Sequence, residues 1–218
     1  MSDDCLEAFV APWWVSDDGQ ALVRGRLIRV HVSHVVGEQA WLEVEGRAGP
    51  SEHTKARYVV RTDSRFGDVK KLAKLTHAAL PAAALPAFPG ETLLVQRARL
   101  RWALVVYAEP SSTLLVAPVY AVDEGPAPAP ELLRDIRRCA FASTLFVSIP
   151  GEKHDSIVRF DQLQPVAAVP GNYQITRHRL SDDALGVVDD WLVWLLVGAP
   201  PAGSMLAVLR DGLGALPV

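Results

Sequence analysis

The chain has 218 residues, half of them hydrophobic and 22% charged, with a formal net charge of −3. That balance excludes a disordered or globally basic chain, so any nucleic-acid contact must come from a local basic patch. Two cysteines, Cys5 and Cys139, without metal-like or redox-like spacing point to a reducing compartment rather than a disulfide framework, and the length allows one large domain or two small ones at roughly 100–200 residues each.

Met1-Ser2-Asp3-Asp4 is acidic with no long apolar run behind it, unlike a secretory leader. The longest apolar run, Trp191 to Val197, falls short of the ~18 residues that suggest a membrane span. No membrane association is expected, and the cytoplasm is the expected location. Trp13-Trp14 follows. On a strand, adjacent residues face opposite ways, so one indole is expected at the surface.

Ala21 to Val36 alternates, with Leu27, Arg29, His31 and Ser33 on one parity and Ile28, Val30, Val32 and His34 on the other, which predicts a strand. His31 and His34 then face opposite sides and make a poor metal pair. Ala40 to Glu45 and Lys55 to Thr62 predict two more strands. Asp63-Ser64 predicts a cap for a short helix over Arg65 to Ala73, with Val69 and Leu72 inward. Residues 1–77 thus read as a small β-rich domain. Residues 78–90 (AALPAAALPAFPG) carry three prolines that forbid a continuous helix, and they read as a linker.

Beyond it, Thr92 to Gln96, Arg101 to Ala108 and Thr113 to Val119 predict strands. Glu131 to Arg138 predicts one or two helical turns, and Ala142 to Ile149 and Ser156 to Phe160 predict two further strands. Ser181-Asp182-Asp183 predicts a helix start, with an N-cap hydroxyl and negative charge at the positive end of the dipole. The helix should run to about Val197 and stop at Gly198, ahead of Pro200-Pro201. Residues 91–198 therefore read as a second domain and 199–218 as a tail. The fold class is mainly β (α+β).

The order and residues of this second part resemble the MazF/PemK toxin family. Five features carry the resemblance: Gly90-Glu91-Thr92 opening a strand; Arg101-Trp102-Ala103-Leu104 entering the next; Val116-Ala117-Pro118 ending the third; Arg159-Phe160-Asp161-Gln162 leaving a later one; and Leu180-Ser181-Asp182-Asp183 starting the helix. The resemblance implies an SH3-like small barrel with a C-terminal helix, dimerisation, and action on single-stranded RNA without metal or cofactor. Two departures stand out. The family's polar loop between its first two strands, which helps shape the RNA site, is here reduced to Gln96 to Leu100. The Thr or Ser usual after the strand-three proline is replaced by Val119-Tyr120-Ala121.

Cleavage of RNA by its own 2′-hydroxyl needs a base, an acid and a cation near the phosphate. Arg101 is the candidate cation, Tyr120 a proton donor, and His154 the general base by residue type. Arg97, Arg99 and Arg159 are candidate nucleic-acid contacts. The expected function is a degenerate barrel that binds nucleic acid, a protein partner or a second copy. The alternative is an active endoribonuclease with a site rebuilt around Arg101.

Overall fold

The computed structural model describes residues 6–19, 21–33, 40–47, 55–62, 70–73, 80–81, 93–95, 98–109, 113–123 and 128–214, with the backbone alone between 40 and 95. In chain order the elements are a 3-10 turn Leu6–Ala8, β1 (Trp14–Ser16), β2 (Arg26–Ser33), β3 (Ala40–Arg47), β4 (Lys55–Thr62), β5 (Lys70–Ala73), β6 (Leu80–Pro81), β7 (Leu93–Val95), β8 (Ala98–Ala108) and β9 (Thr113–Ala121). Then come α1 (Pro130–Arg137), β10 (Thr144–Ser148), β11 (Asp155–Arg159), a 3-10 turn Phe160–Gln162, β12 (Gln164–Ala167), β13 (Tyr173–Leu180), α2 (Asp182–Val197) and α3 (Met205–Gly212). The protein is mainly antiparallel β-sheet with a few helices.

The chain forms two units, one of residues 1–32 and 99–218, the other of residues 33–98. This differs from the expected division into 1–77, a 78–90 linker and 91–198. In the larger unit the sheet order is β1-β13-β2-β8-β9-β11-β10, with β12 also on β9. Strand β2 therefore belongs with β8, not with the strands that follow it in sequence. Gly25 N donates to Val105 O at 2.8 Å, and the Arg29 guanidinium lies 5.1 Å from the centre of the Trp102 ring. These contacts advance along β2 while retreating along β8, so the two strands run antiparallel. Val32 thus leaves the sheet beside the point where Arg99 enters it, and the smaller unit is an insertion between neighbouring strands. Gly25 makes the tight entry to β2 with φ +79°, where a Cβ would stand 3.4 Å from both Leu180 and Leu185 side chains.

The smaller unit is a five-stranded sheet, β5-β4-β3-β7 with β6 on β4. The expected helix over Arg65 to Ala73 is corrected here. Lys70–Ala73 is a strand whose Lys70 and Lys71 pair with Thr62 and Arg61, so ladder bonds to β4 prevail over local helix propensity. Residues 63–69 and most of the expected linker lie outside the described residues, but Leu80–Pro81 pairs with β4. Leu93–Val95 is a strand as expected, yet it pairs with β3 in the smaller unit and is not the partner of the Arg101 strand.

Parity places both faces of the larger sheet in apolar packing. Ile28, Val30, Ala103, Val105, Leu114 and Val116 share one cluster; Leu27, Leu104, Val106, Ala117 and Val119 join the other, under α2. Ser181 caps α2 by accepting from Ala184 N, and Gly198 closes it in the left-handed conformation. Trp191 is fully buried, donates Nε1–H to Ala142 O at 2.8 Å, and tilts against Phe160 and Trp194 with ring centroids 6.2 and 5.4 Å away. Beyond the expected tail boundary, Ser204 caps α3, whose buried Arg210 donates to Cys139 O at 2.8 Å and lies 4.2 Å over Trp194.

The N-terminal arm completes this unit. Leu6, Val10 and Trp13 are buried in the α2-side core, while Trp14 is half-buried and donates to Ser148 O at 2.8 Å. Glu7 accepts from Ser148 N at 2.7 Å. Side chains from the N-terminal arm and β1 thus bond to β10, the strand at the other end of the sheet order. Among the described residues no helix is long and apolar enough to cross a membrane.

Candidate functional site

Strand β9 is the centre of the site. Ala103 pairs with Pro118 on its β8 side, a register that two residues further sets Arg101 opposite Tyr120. On its other side Tyr120 pairs with Ile157 of β11. Arg101 therefore lies beside the strand end that carries Pro118. The Arg101 guanidinium lies 4.3 Å from the Tyr120 ring centre, a cation–π contact in which the aromatic face holds the cation's plane. The Tyr120 hydroxyl donates to Gln162 Oε1 at 2.5 Å, which orients the phenol.

Arg159, two residues beyond Ile157 and on the same face, makes a two-pronged pair with Asp161, Nε to Oδ1 at 2.8 Å and Nη2 to Oδ2 at 2.6 Å. That pair holds the Asp161 carboxyl below the usual carboxylate range and raises the Arg159 guanidinium, to which Tyr120 also contributes. Most of the Arg159 charge is thereby matched. Asp161-Gln162 thus serves two side chains of this face, Arg159 and Tyr120, from one 3-10 turn.

His154, in the turn between β10 and β11, has Nδ1 2.7 Å from Asp123 Oδ2, both side chains more than half exposed. It lines a cleft of about 160 Å³ with Arg29, Arg99, Arg101, Trp102 and Glu152. The structure therefore brings together three of the sequence-derived residues, Arg99, Arg101 and His154, with Tyr120 touching Arg101. Arg97 lies outside the described residues. At about 160 Å³ this cleft is smaller than the roughly 300–1,000 Å³ of pockets that enclose a drug-sized ligand.

Three cleft residues escaped the sequence reading. Arg29 comes from β2, Trp102 sits beside Arg101 but on the opposite parity, and Glu152 lies in the β10–β11 turn. Trp102 Nε1 donates to Glu152 Oε1 at 3.1 Å, beneath the Arg29 guanidinium. The sequence signal for Arg29 was its polar position in an otherwise apolar alternation. None existed for Glu152, which reaches the cleft only through the fold.

The basic run of α1 is engaged locally. Arg137 binds Asp155 at 3.0 Å and covers Phe146, and Arg134 stands 3.9 Å from Asp135. Among the described residues no group of three or more His, Cys, Asp or Glu is placed to hold a metal. A larger cleft of about 540 Å³, lined by Asp17, Asp18, Tyr173, Thr176 and Arg177 among others, contains none of the expected residues. Behind it the fully buried Arg26 donates to Asp17 O and Thr176 O at 3.1 and 3.2 Å and pairs with Asp17 Oδ2. That arrangement ties the Asp17 turn to β13.

Comparison with protein-family models, curated proteins and solved structures returned no match to this chain.

Proposed function

We propose that the larger unit is a degenerate MazF/PemK-like module that binds single-stranded RNA across the Arg101–Tyr120 face. The observation that carries the reading is the Arg101 guanidinium stacked on Tyr120 at the rim of a cleft that Arg29 and Arg99 also line. Among the described residues that line the cleft, the basic side chains of Arg29, Arg99 and Arg101 favour a phosphate-bearing chain. Guanidinium planes backed by aromatic rings, as in the Arg101–Tyr120 and Arg29–Trp102 pairs, accept unstacked bases, which single strands offer and duplexes do not. The order of parts supports the family likeness, with one reassignment. The strand opened by glycine is β2 after Gly25, not the segment after Gly90. On this reading the family's polar loop between its first two strands is not shortened but is the site where residues 33–98 are inserted.

One observation favours chemistry as a second reading. His154 Nδ1 lies 2.7 Å from Asp123 Oδ2, a contact that orients the ring and leaves Nε2 as the nitrogen that would take a 2′-hydroxyl proton beside a phosphate held by Arg101. Tyr120 would then protonate the leaving oxygen, exchanging its hydrogen bond to Gln162 Oε1 for one to the substrate.

Fluorescence anisotropy with single-stranded RNA over a salt series tests the first reading. Binding that weakens with salt, and weakens further in Arg101→Ala, supports it. Absence of binding, or equal binding by the variant, overturns it, and recovery of a protein in place of RNA would redirect it. Incubation with long single-stranded RNA tests the second, with fragments lost in both Arg101→Ala and His154→Ala as the positive result.

A further inference from the structure

Glu152 is out of keeping with a surface that only holds phosphates. A carboxylate among Arg29, Arg99 and Arg101 repels the RNA backbone, yet it makes no ion pair with them. Its hydrogen bond comes instead from the Trp102 indole at 3.1 Å. That bond uses one lone-pair direction of Oε1 and leaves the remaining acceptor sites of the carboxylate for other donors. Trp102 is half-buried and packs against the α2-side core, so the indole N–H is a fixed support. The Arg29 guanidinium covers the ring, and the cleft beside it measures about 160 Å³.

We propose that Glu152 reads the exocyclic amino group of a single RNA base in this cleft, with Trp102 as the residue that positions it. The inference rests on the RNA-binding reading above and names the kind of sequence that site prefers. A carboxylate can only accept hydrogen bonds at neutral pH. It therefore selects bases with an amino donor on the Watson–Crick edge, the N4 amine of cytosine, the N6 amine of adenine, or the N2 amine of guanine with its neighbouring N1–H. Uracil presents no amino group, and its single edge donor, N3–H, is flanked by two carbonyls that would face the carboxylate lone pairs. In an unpaired strand that edge is open to the protein.

The test uses the full chain and three ribo-oligomers of equal length, oligo(C), oligo(A) and oligo(U). The wild type should bind oligo(C) about tenfold more tightly than oligo(U), with oligo(A) between or equal to oligo(C). Glu152→Gln offers a weaker acceptor and removes the repulsive charge, so oligo(U) binding should rise and the preference should fall to about twofold or less. Trp102→Phe retains the ring under Arg29 but removes the N–H donor; it should reduce the preference while leaving oligo(U) affinity in place. A structural role for Glu152 predicts another result, an equal loss for all three oligomers. Equal binding by the wild type, or a preference that survives Glu152→Gln, overturns the inference while RNA binding itself stands. Failure of all three to bind overturns both.

Discussion

Replacing residues 34–97 with a four-residue turn should leave the larger unit folded. The structural reason is that β2 and β8 are antiparallel neighbours, so the two ends of the excised segment already lie at adjacent strand ends. Among the described residues the insertion contributes to the larger sheet only the first residue of β8 and the last of β2. The magnitude follows from loop closure. Each doubling of a flexible connection costs about 0.6 kcal/mol, and shortening from about 64 residues to about 4 is about four doublings. The upper bound on the gain is thus about 2.4 kcal/mol. The true gain should be smaller, because the insertion is itself an ordered sheet and already holds its own ends. Urea denaturation followed by tryptophan fluorescence is a direct assay, since Trp13, Trp102, Trp191 and Trp194 all remain. A cooperative transition with a midpoint equal to or above that of the full chain is expected. A variant with no cooperative transition would refute the view that β2 and β8 need nothing between them but a turn.

Four other outcomes are expected. Arg101→Ala should weaken RNA binding about equally across sequences and reduce the salt slope by about 1, as for loss of one phosphate contact; an unchanged slope would remove Arg101 from the interface. Tyr120→Phe keeps the ring under Arg101 but removes the hydroxyl, so binding should persist while any cleavage falls, and unaltered cleavage would exclude Tyr120 as the proton donor. Trp191→Phe leaves the Ala142 carbonyl without its donor at a cost of about 1–3 kcal/mol, and Trp191→Ala adds a cavity for a total of about 3–5 kcal/mol; chemical denaturation should rank them in that order. Burial raises the Glu7 carboxyl above its ordinary 4.5 despite the Ser148 N–H bond. The folded state therefore binds this proton more tightly than the unfolded state. The contribution is favourable below pH about 4.5 and is lost as pH rises through the higher folded value. Glu7→Gln should accordingly gain stability over wild type at neutral pH, with the difference shrinking on acidification. A difference that grows on acidification would contradict the sign.

Much of the local structure was legible in the residues themselves. Helix α2 starts and stops where Ser181 and Gly198 place it, because capping satisfies orphan backbone groups within one turn. The Arg101-to-Ala108 and Thr113-to-Val119 strands follow from apolar continuity and a turn between them. Helix α3 had a readable cap in Ser204, and β13 an imperfect alternation, but both are short or polar enough for their pattern to resemble a tail or loop. The Ala/Pro stretch looked like a domain boundary because proline interrupts helices. A domain boundary, however, is set by which strand edges pair, and that depends on contacts between residues far apart in sequence.

What the sequence by itself determined is the class of the strongly patterned elements, the caps of α2 and the presence of Arg101, Tyr120 and His154 as chemistry-bearing side chains. Those are properties of a few consecutive residues. The tertiary structure alone decided that β2 pairs with β8 across a 33–98 insertion, and that Arg29, Trp102, Glu152 and His154 meet Arg101 around one cleft. These residues come from three segments more than forty positions apart, and only the ladder of backbone bonds between distant strands brings their side chains to the same place.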